Sequence, residues 1–331
     1  MDNKDLIADH TRVVKGLDDF VKEQLSLFLP VDKLWQPSDL LPDFSSENKK
    51  LITFRKDASK VPDEVLVVLV GDIITEEALP TYQTWLNRIE AIKDHNGVDN
   101  TAWGLATKWW TAEENRHGTL LYSYLRLNSN VDVRAIEETI QYLIRNGFDI
   151  RAGNDPYKTL IYTTFQERAT HISHTNVADK ARKYGDENLY KICMKVAGDE
   201  KRHETFYKRV MKEIFEKDPN DAMLAFKEMM EKKIVMPAEL MYDGRDPKLF
   251  DNYSIVAQRI NVYTILDYAE IIKDLVESWK ISKYSVSGEA AEAQEYLSSL
   301  AQKYEGRAEA MQRMINKKPK LSFSWIKNRM V

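Results

Sequence analysis

The chain has 331 residues, of which 43% are hydrophobic and 30% charged, and its formal net charge is -4. This composition indicates a globular protein with an ample core, and the acidic balance excludes the overall basic footprint of a nucleic-acid-binding protein. The longest aliphatic run, Val65 to Val70, is too short to span a membrane, so an integral membrane protein is excluded as well. Cys193 is the only cysteine, which rules out an intrachain disulfide and indicates a reducing compartment.

Glycine and proline are scarce, with 12 and 10 residues, and this favours long helices over many short strands. Apolar residues at helical spacing predict an amphipathic helical segment over residues 1–30. An extended connection follows because three prolines interrupt the pattern: Pro30, Pro37 and Pro42. A buried helix is then predicted over residues 63–93, with a kink at Pro80.

The rest of the chain continues the helical pattern. Further helices are predicted over residues 99–128, 133–146, 156–184, 186–217, 221–233, 249–281 and 288–314. Residues 236–247 are predicted to form a loop, and the tail from Lys317 is expected to be irregular. We find no convincing linker, so the sequence predicts one all-α domain over residues 1–331.

Two short motifs carry the chemistry. Glu114 and His117 are three residues apart in one predicted helix, and Glu200 and His203 are three apart in another. Residues three apart share one face of a helix, so each pair can bind one metal ion. Two such pairs, with one carboxylate from each of two further helices, form the di-iron or di-manganese site of a four-helix bundle.

Glu76 and Glu167 supply the two single carboxylates, and each precedes a Glu-x-x-His pair in the chain. Buried carboxylates at this density are costly without cations, so an inward cluster of them itself argues for a metal. Spacing alone leaves neighbouring residues open as ligands: Glu77, Glu113, Glu204, His171 and His174. The second motif favours the three-residue spacing, since only Glu200 precedes His203 suitably.

Three other observations are weaker. Thr170 lies one turn after Glu167, where its hydroxyl could serve metal-bound oxygen or only bond the preceding backbone turn. Trp110 and its neighbour precede the first motif and are expected to pack in the core. His10 and His95 lie in polar surroundings, so both are predicted to be at the surface.

At these motifs the chain resembles the soluble acyl-[acyl-carrier-protein] (acyl-ACP) desaturases. The resemblance covers roughly residues 30–331, and its motifs are Val70-Gly71-Asp72, Thr75-Glu76-Glu77-Ala78-Leu79-Pro80-Thr81-Tyr82, Trp110-Thr111-Ala112-Glu113-Glu114-Asn115-Arg116-His117-Gly118, Phe165-Gln166-Glu167-Arg168-Ala169-Thr170, Asp199-Glu200-Lys201-Arg202-His203-Glu204, Met236-Pro237-Ala238, Met241-Tyr242-Asp243-Gly244-Arg245-Asp246 and Phe323-Ser324-Trp325-Ile326. It implies a ferritin-like di-iron four-helix core extended by additional long helices.

The resemblance also implies site residues and partners. The two iron ions would be bound by Glu76, Glu114, His117, Glu167, Glu200 and His203, which selects Glu76 over Glu77. Acyl-ACP would be the substrate, oxygen the oxidant and ferredoxin the electron donor, in a homodimer. Thr170 matches a family threonine near the oxygen site, and Trp35 and Asp199 match residues that link to an iron-bound histidine. Asp251 and Arg307 match positions at the channel mouth, where the acidic carrier docks.

Five residues are predicted to line the acyl channel: Trp85, Ile89, Ile150, Thr159 and Leu160. Trp85 stands where the family usually has a slimmer residue, and Ile150 stands where a proline is common. A bulkier wall predicts acyl chains no longer than C18 and nearer to C16. The sequence shows no plastid transit pattern, so we expect a bacterial cytoplasmic protein or a trimmed form from the plastid stroma.

Two other functions fit the same metal ligands. A di-iron hydroxylase would put an oxygen atom into its product, and a ferritin-like ferroxidase would store iron. The chain is about twice as long as a minimal four-helix bundle, which favours extra helices around a substrate channel over iron storage.

Overall fold

In a computed structural model that describes residues 3–43 and 49–331, the chain is almost entirely helical. The α-helices within these residues are α1 Asn3–Lys15, α2 Asp18–Gln24, α3 Pro37–Leu40, α4 Lys49–Ala58, α5 Asp63–Glu77, α6 Leu79–Leu86, α7 Ala102–Leu127, α8 Val133–Asn146, α9 Pro156–Lys183, α10 Glu187–Lys217, α11 Pro219–Lys232, α12 Leu249–Arg259, α13 Ile265–Ser278, α14 Glu289–Glu305 and α15 Ala308–Asn316. The tail adds one antiparallel hairpin, β1 Ser322–Phe323 with β2 Arg329–Met330, in which Ser322 pairs with Met330. The all-α prediction is confirmed.

Helices α5, α7, α9 and α10 form the central four-helix bundle. Helix α5 packs against α7 and α9, and α10 packs against both α9 and α7. Every α5 residue from Val65 to Glu76 is buried, as expected of a helix that is apolar on all sides. The bundle is therefore surrounded by other parts of the chain, and a side chain that points from α5 into it is shielded from solvent.

The additional helices cover this bundle. Helices α11 and α13 pack on α9, and α14 packs on both of them. Helix α12 packs on α5 and α15. No helix in the described ranges 3–43 and 49–331 combines the length and the apolar composition that a membrane span requires.

Two of the four bundle helices, α9 and α10, begin at aspartate N-caps. Asp155 accepts hydrogen bonds from the first backbone N–H groups of α9, with Pro156 as the first helical residue. Asp186 does the same for α10. Each carboxylate satisfies N–H groups that have no partner within the helix, and it complements the positive end of the helix dipole.

The helix predicted over residues 133–146 is confirmed, but three longer predictions were wrong in extent. The helix predicted over 63–93 is two helices, α5 and α6, because the chain turns at Ala78, just before Pro80. Residues 249–281 form α12 and α13, since Asn261 adopts a left-handed conformation and Thr264 caps α13 with Asp267. The helix predicted over 288–314 is interrupted between α14 and α15 at residues 306–307.

Two further predictions were wrong. The extended connection after Pro30 contains α4, whose buried Leu51 and Phe54 pack into the core. His10 is not at the surface: its side chain is 2% exposed and its ring stacks on Tyr157. His95 is exposed, as predicted.

Gly71 in α5 offers a test of this packing. A Cβ atom at this position would overlap the buried ring of Tyr253, whose hydroxyl bonds to Asp72. We expect Gly71→Ala to destabilise the protein by about 1–3 kcal/mol, the usual cost of overpacking a core. Gly198→Ala is the matched control, because nothing lies within 4 Å of a Cβ there. That variant should be neutral or stabilising by up to about 1 kcal/mol, because alanine favours the helix. Thermal unfolding of both variants distinguishes these outcomes, and equal Tm values would contradict this view of the α5 packing.

Candidate metal centre

The two Glu-x-x-His pairs meet in the centre of the bundle. Their four side chains come from α7 and α10, and all are buried. His117 Nδ1 lies 3.2 Å from Glu114 Oε2 and 3.1 Å from Glu200 Oε1. His203 Nδ1 lies 2.8 Å from Glu114 Oε1. Each histidine thus faces a carboxylate from the other helix.

The two single carboxylates complete the group. Glu76 Oε2 from α5 lies 3.8 Å from His117 Nδ1, and Glu167 Oε2 from α9 lies 3.3 Å from His203 Nδ1. Two sets of potential ligand atoms result, each with all its atoms within 4.8 Å of one another: Glu76, Glu114, His117 and Glu200; and Glu114, Glu167, Glu200 and His203. Glu114 and Glu200 belong to both sets, so they are placed to bridge two ions. We call these six residues the six-residue cluster.

Several atoms of the cluster are arranged as metal ligands and not as hydrogen-bond partners of one another. Glu167 Oε2, Glu200 Oε1 and His203 Nδ1 are buried and make no hydrogen bond within the described part of the chain. They nevertheless lie close to other cluster atoms, which is the arrangement of ligands around a common cation. Four carboxylates with two imidazoles are a donor set that suits iron, manganese or zinc.

Without a cation the cluster would have to hold protons. Burial and the neighbouring carboxylates raise the pKa of Glu76 well above its ordinary value, and burial raises that of Glu167. Burial alone would lower the pKa of His117, but the Glu114 charge and hydrogen bonds to Asp199, Glu114 and Glu200 raise it well above its usual range. Divalent ions would replace those protons, so metal binding here is coupled to proton release.

Each histidine is held from behind by an outer carboxylate from the other helix. His117 on α7 faces Asp199 of α10, with Nε2 and Oδ2 3.3 Å apart. His203 on α10 faces Glu113 of α7, with Nε2 and Oε2 2.9 Å apart. A proton on Nε2 leaves the Nδ1 lone pair directed into the cluster, which is the tautomer that a metal ligand requires.

Arginines tie the two outer carboxylates together. Arg202 donates to Asp199 Oδ1 at 2.7 Å and to Glu113 Oε2 at 2.8 Å. Arg116 and the indole N–H of Trp35 bond to Asp199 Oδ2, at 3.1 and 2.9 Å. Burial would raise the pKa of Asp199, but hydrogen bonds and charge from His117 and Arg202 hold it well below its usual range. Asp199 therefore stays ionised behind His117.

Glu113 is the residue whose role sequence reasoning missed. Spacing had left it open as a metal ligand, whereas the structure places it behind His203. Burial would raise its pKa, but the hydrogen bond and charge of His203 and the charge of Arg202 lower it. The signal was available, because an acidic residue directly precedes both Glu-x-x-His pairs, at Glu113 and Asp199.

The other residues left open as ligands lie outside both sets of ligand atoms. Glu204 pairs with Lys201, Lys208 and Arg168 instead. His171 Nδ1 bonds to the carbonyl of Ala197 at 2.8 Å. The described contacts of these two side chains are therefore those of helix packing.

His174 and Trp110 orient two of the carboxylates. His174 Nε2 lies 3.0 Å from Glu76 Oε1, and Trp110 donates its indole N–H to Glu167 Oε1 at 2.9 Å. Glu77 is half-buried, and its Oε1 lies close to Gly118, where a Cβ would come within 2.8 Å of it. Glycine after His117 thus lets α5 and α7 approach each other beside the cluster.

Two adjoining cavities reach the cluster. The entrance cavity, of about 390 Å³, runs inward from Tyr304 and Met311 to Glu76 and Thr170. The inner cavity, of about 70 Å³, continues from there, and the aromatic residues in its wall are Tyr82, Trp85, Trp110, Phe148 and Tyr162. Both cavities are largely apolar apart from the cluster. Together they can hold an extended apolar molecule against the six residues.

The predicted channel residues divide into three groups. Trp85 lines the inner cavity. Ile150 lines an outer groove of about 710 Å³, which we define by Phe148, Ile150, Tyr162, Pro237 and Asp251. Ile89, Thr159 and Leu160 are buried but are absent from the described lining of either cavity.

The remaining predicted site residues lie as follows. Thr170 lines both cavities, and its single hydroxyl proton has several acceptors within reach, among them Glu200 Oε2 at 2.6 Å and the Gln166 carbonyl of the preceding turn at 3.0 Å. Trp35 is buried, and its ring stacks on His117 with centroids 6.1 Å apart. Arg307 is exposed on the turn between Tyr304 and Met311, two residues that line the entrance cavity. Asp251 is exposed at the outer groove.

The fold and the cluster define a class: a ferritin-like helical bundle with a buried carboxylate and histidine site suited to metal ions. The architecture is shared with the X-ray structure of DesA2 from Mycobacterium tuberculosis H37Rv, with a TM-score of 0.57 at 19% identity, over 82% of this chain and 96% of that one.

Comparison of sequences defines the family. The model of the fatty acid desaturase family matches residues 9–327. The chain is 50% identical to the stearoyl-ACP 9-desaturase of Ricinus communis, over 96% of this chain and 82% of that protein. It is 51% identical to the stearoyl-ACP 9-desaturase of Brassica napus, over 96% of this chain and 81% of that protein. The chain belongs to the fatty acid desaturase family, and the resemblance to acyl-ACP desaturases is confirmed.

The position of Glu113 generates a prediction. In Glu113→Gln the charge behind His203 is lost, so the ring is less firmly held and a less basic ligand. We expect metal affinity to fall about 10- to 100-fold, as is usual when such an outer partner is changed. Metal content per chain after dialysis against graded chelator measures this. Glu77→Gln is the control, since it also adjoins a cluster residue but makes no contact with a histidine in the described structure. Equal metal loss in the two variants would contradict the role given to Glu113.

Proposed function

We propose that this protein is an acyl-ACP desaturase that introduces a cis double bond into a saturated acyl chain. The observation that carries the proposal is the junction of the two cavities at the six-residue cluster. An acyl chain threaded from the entrance cavity into the inner cavity would present a mid-chain methylene pair to Glu76, Thr170 and Glu200. The names of the relatives, stearoyl-ACP 9-desaturases, support this substrate class.

We propose that two iron ions would be held by the six-residue cluster, in which Glu114 and Glu200 belong to both sets of potential ligand atoms and each set has one histidine. Bound iron would supply oxygen activation and removal of two hydrogen atoms from adjacent carbons. The protein's own part is to position the chain and exclude water. The apolar walls of both cavities serve this purpose, because a dry site prevents side reactions of an activated oxidant.

The reaction consumes one O₂, two electrons and two protons, and it yields the alkene and two waters. Thr170 is placed to handle a proton, since its hydroxyl lines both cavities and bonds to Glu200. Electrons would enter on the opposite side of the cluster through Trp35, Asp199 and His117, which are in direct contact.

Two partner surfaces follow from these positions. Trp35 lines a shallow surface depression beside the exposed Lys191 and Lys195, and these cations would attract an acidic ferredoxin. The acidic acyl carrier would dock near Arg307, which is exposed between Tyr304 and Met311 of the entrance cavity, and near Asp251, which lies at the outer groove. Charge attraction of this kind mainly accelerates and orients docking.

Family resemblance also supports a homodimer that acts in a bacterial cytoplasm or, for a trimmed form, in the plastid stroma. It further supports the single domain over residues 1–331. Light scattering of the purified protein would test the dimer, since a monomer mass would reject it.

The assay that tests the function combines iron-loaded protein, ferredoxin with its reductase, oxygen and palmitoyl- or stearoyl-ACP. We expect a product lighter by two hydrogens, and mass spectrometry of its cleavage fragments locates the double bond. His203→Ala should lose iron and measurable desaturation, because it removes one ligand and leaves buried carboxylates without their partner. His171→Ala is the control and should keep both, since this nearby histidine contacts only backbone among the described residues.

Other products would reject the proposal in identifiable ways. A product heavier by one oxygen would assign a hydroxylase. Iron oxidation without any change in the acyl chain, together with a cage-sized assembly, would assign a ferroxidase. Full iron content and activity in His203→Ala would contradict the ligand assignment.

We also propose that Phe148 ends the acyl channel and limits chain length. Its ring lies 6.0 Å from that of Trp85 and 5.8 Å from that of Tyr162. Phe148, Tyr162 and Pro237 line both the inner cavity and the outer groove, so they form the wall between them. A chain that reaches this wall has no further space, which supports the expected preference for chains near C16.

In Phe148→Ala the inner cavity should open toward the outer groove. We expect the ratio of kcat/KM for C18 over C16 acyl-ACP to rise about tenfold or more, since accommodation of extra methylenes is worth roughly 1–3 kcal/mol in such pockets. Met311→Ala is the control, because among the described residues Met311 lines the entrance cavity but neither the inner cavity nor the outer groove. That change should alter kcat/KM for all acyl chain lengths by a similar factor, so the C18 to C16 ratio should stay unchanged. A wild-type preference for C18, or an unchanged ratio in Phe148→Ala, would contradict the proposed wall.

A further inference from the structure

A second group of potential metal ligands lies away from the six-residue cluster and shares no residue with it. His10 of α1 lies against Asp218 and Asp221, at the start of α11. Asp155 and Tyr157, at the start of α9, border the same group. Three parts of the chain that are distant in sequence therefore meet at this point.

The spacing of the ligand atoms fits a cation. One atom each of His10, Asp218 and Asp221 lies within 4.8 Å of the other two. His10 Nε2 and Asp221 Oδ2 are 3.6 Å apart, which is too long for a hydrogen bond. Two ligands bound at about 2.1 Å to a tetrahedral ion stand roughly 3.4 Å apart. The gap between these atoms is thus close to that of two ligands on one metal.

His10 provides an independent observation. Its side chain is 2% exposed, and its Nε2 has no hydrogen-bond partner among the residues that the structure describes. A buried ring nitrogen without a partner is uncommon, because desolvation then goes uncompensated. This nitrogen faces the aspartates, so a cation bound between His10 and these aspartates would give Nε2 the partner that it lacks.

Neighbouring groups hold the ring as metal-binding histidines are usually held. Asp155 Oδ1 lies 3.0 Å from His10 Nδ1, so a proton on Nδ1 leaves the Nε2 lone pair free. Tyr157 stacks on the ring at 3.9 Å and donates its hydroxyl to Asp218 Oδ2 at 3.0 Å. A carboxylate behind a histidine, with an oriented carboxylate beside it, is the common surrounding of a zinc ligand.

The charge balance also favours a cation. Three carboxylates, those of Asp155, Asp218 and Asp221, surround His10. Lys158 lies 3.6 Å from Asp155 but also pairs with Glu228. Burial and the charge of Asp218 raise the pKa of Asp221. Negative charge is therefore in excess here unless His10 is protonated or a metal is present.

We propose that His10, Asp218 and Asp221 bind a divalent first-row metal ion, of which zinc is the best probe. Water would fill the remaining position, because Asp221 is 35% exposed and leaves a path to solvent. The ion would pin α1 onto the starts of α9 and α11. This site is independent of the six-residue cluster, so the proposal does not depend on the function proposed above.

The experiment counts two metals in one sample. Iron-loaded, full-length protein is dialysed against micromolar zinc, and iron and zinc per chain are measured by mass spectrometry of the elements. We expect one zinc per chain with no loss of iron, and a higher Tm than without zinc, because a ligand that binds only the folded state stabilises it. His10→Ala and Asp221→Asn should each lose this zinc and the rise in Tm, with iron unchanged.

The controls separate this site from others. His95→Ala removes an exposed histidine and should bind zinc as the unmodified protein does. Tyr157→Phe keeps the ring but removes the donor to Asp218, so we expect zinc to bind about tenfold more weakly. If His10→Ala does not fold, Asp221→Asn decides, since it is isosteric and half-exposed.

Three results would overturn the proposal. They are the absence of bound zinc, zinc that enters only as iron leaves, and zinc binding that His10→Ala and Asp221→Asn leave unchanged. In each case His10 would instead be a protonated histidine paired with aspartates. Desaturase activity enters none of these readouts, so failure here and failure of the proposed function are distinguishable.

Discussion

The burial of four carboxylates at one point is the constraint on which the rest of the structure depends. Glu76, Glu114, Glu167 and Glu200 all lie in the interior of the bundle, where an uncompensated charge is very costly. Two histidines and a pair of metal ions can balance these charges, and protons can do so in part. The bundle helices therefore have to bring all six side chains to the same depth, because a missing partner would leave a buried charge alone.

The two outer carboxylates, Glu113 and Asp199, also fix the relative position of α7 and α10. The acid that precedes the pair on α7 supports the histidine of α10, and the acid that precedes the pair on α10 supports the histidine of α7. Arg202 then bonds to both acids. A shift of one helix along the other would break both supports together. The same contacts thus fix the tautomer of each histidine and the relative position of the two helices.

The helices outside the bundle enclose the space beside the cluster. A bare four-helix bundle would offer the cluster to water and small ions, whereas α12 to α15 and the loop at residues 233–237 line a cavity beside it. Aromatic side chains at Trp85, Phe148 and Tyr162 close its inner end. Under the proposed function, the distance from the mouth of the entrance cavity to this wall would limit the length of the bound acyl chain. The cluster lies partway along that distance. Helix α9 takes part in both the cluster and the wall, because it carries Glu167 of the cluster and Tyr162 of the cavity wall.

Sequence alone determined the fold class, the helix at 133–146 and the two Glu-x-x-His pairs, because helical periodicity and three-residue spacing are local properties. The choice of Glu76 over Glu77 came from the family resemblance and not from spacing. The sequence did not determine where α5, α12 and α14 end, since single breaks at Ala78, Asn261 and Gly306 interrupt patterns that stay apolar across them. Tertiary structure alone decided the partners of Glu113, Phe148 and His10. Each acquires its role from residues more than 50 positions away or on another helix, and long-range contacts of this kind leave no periodic trace in one sequence.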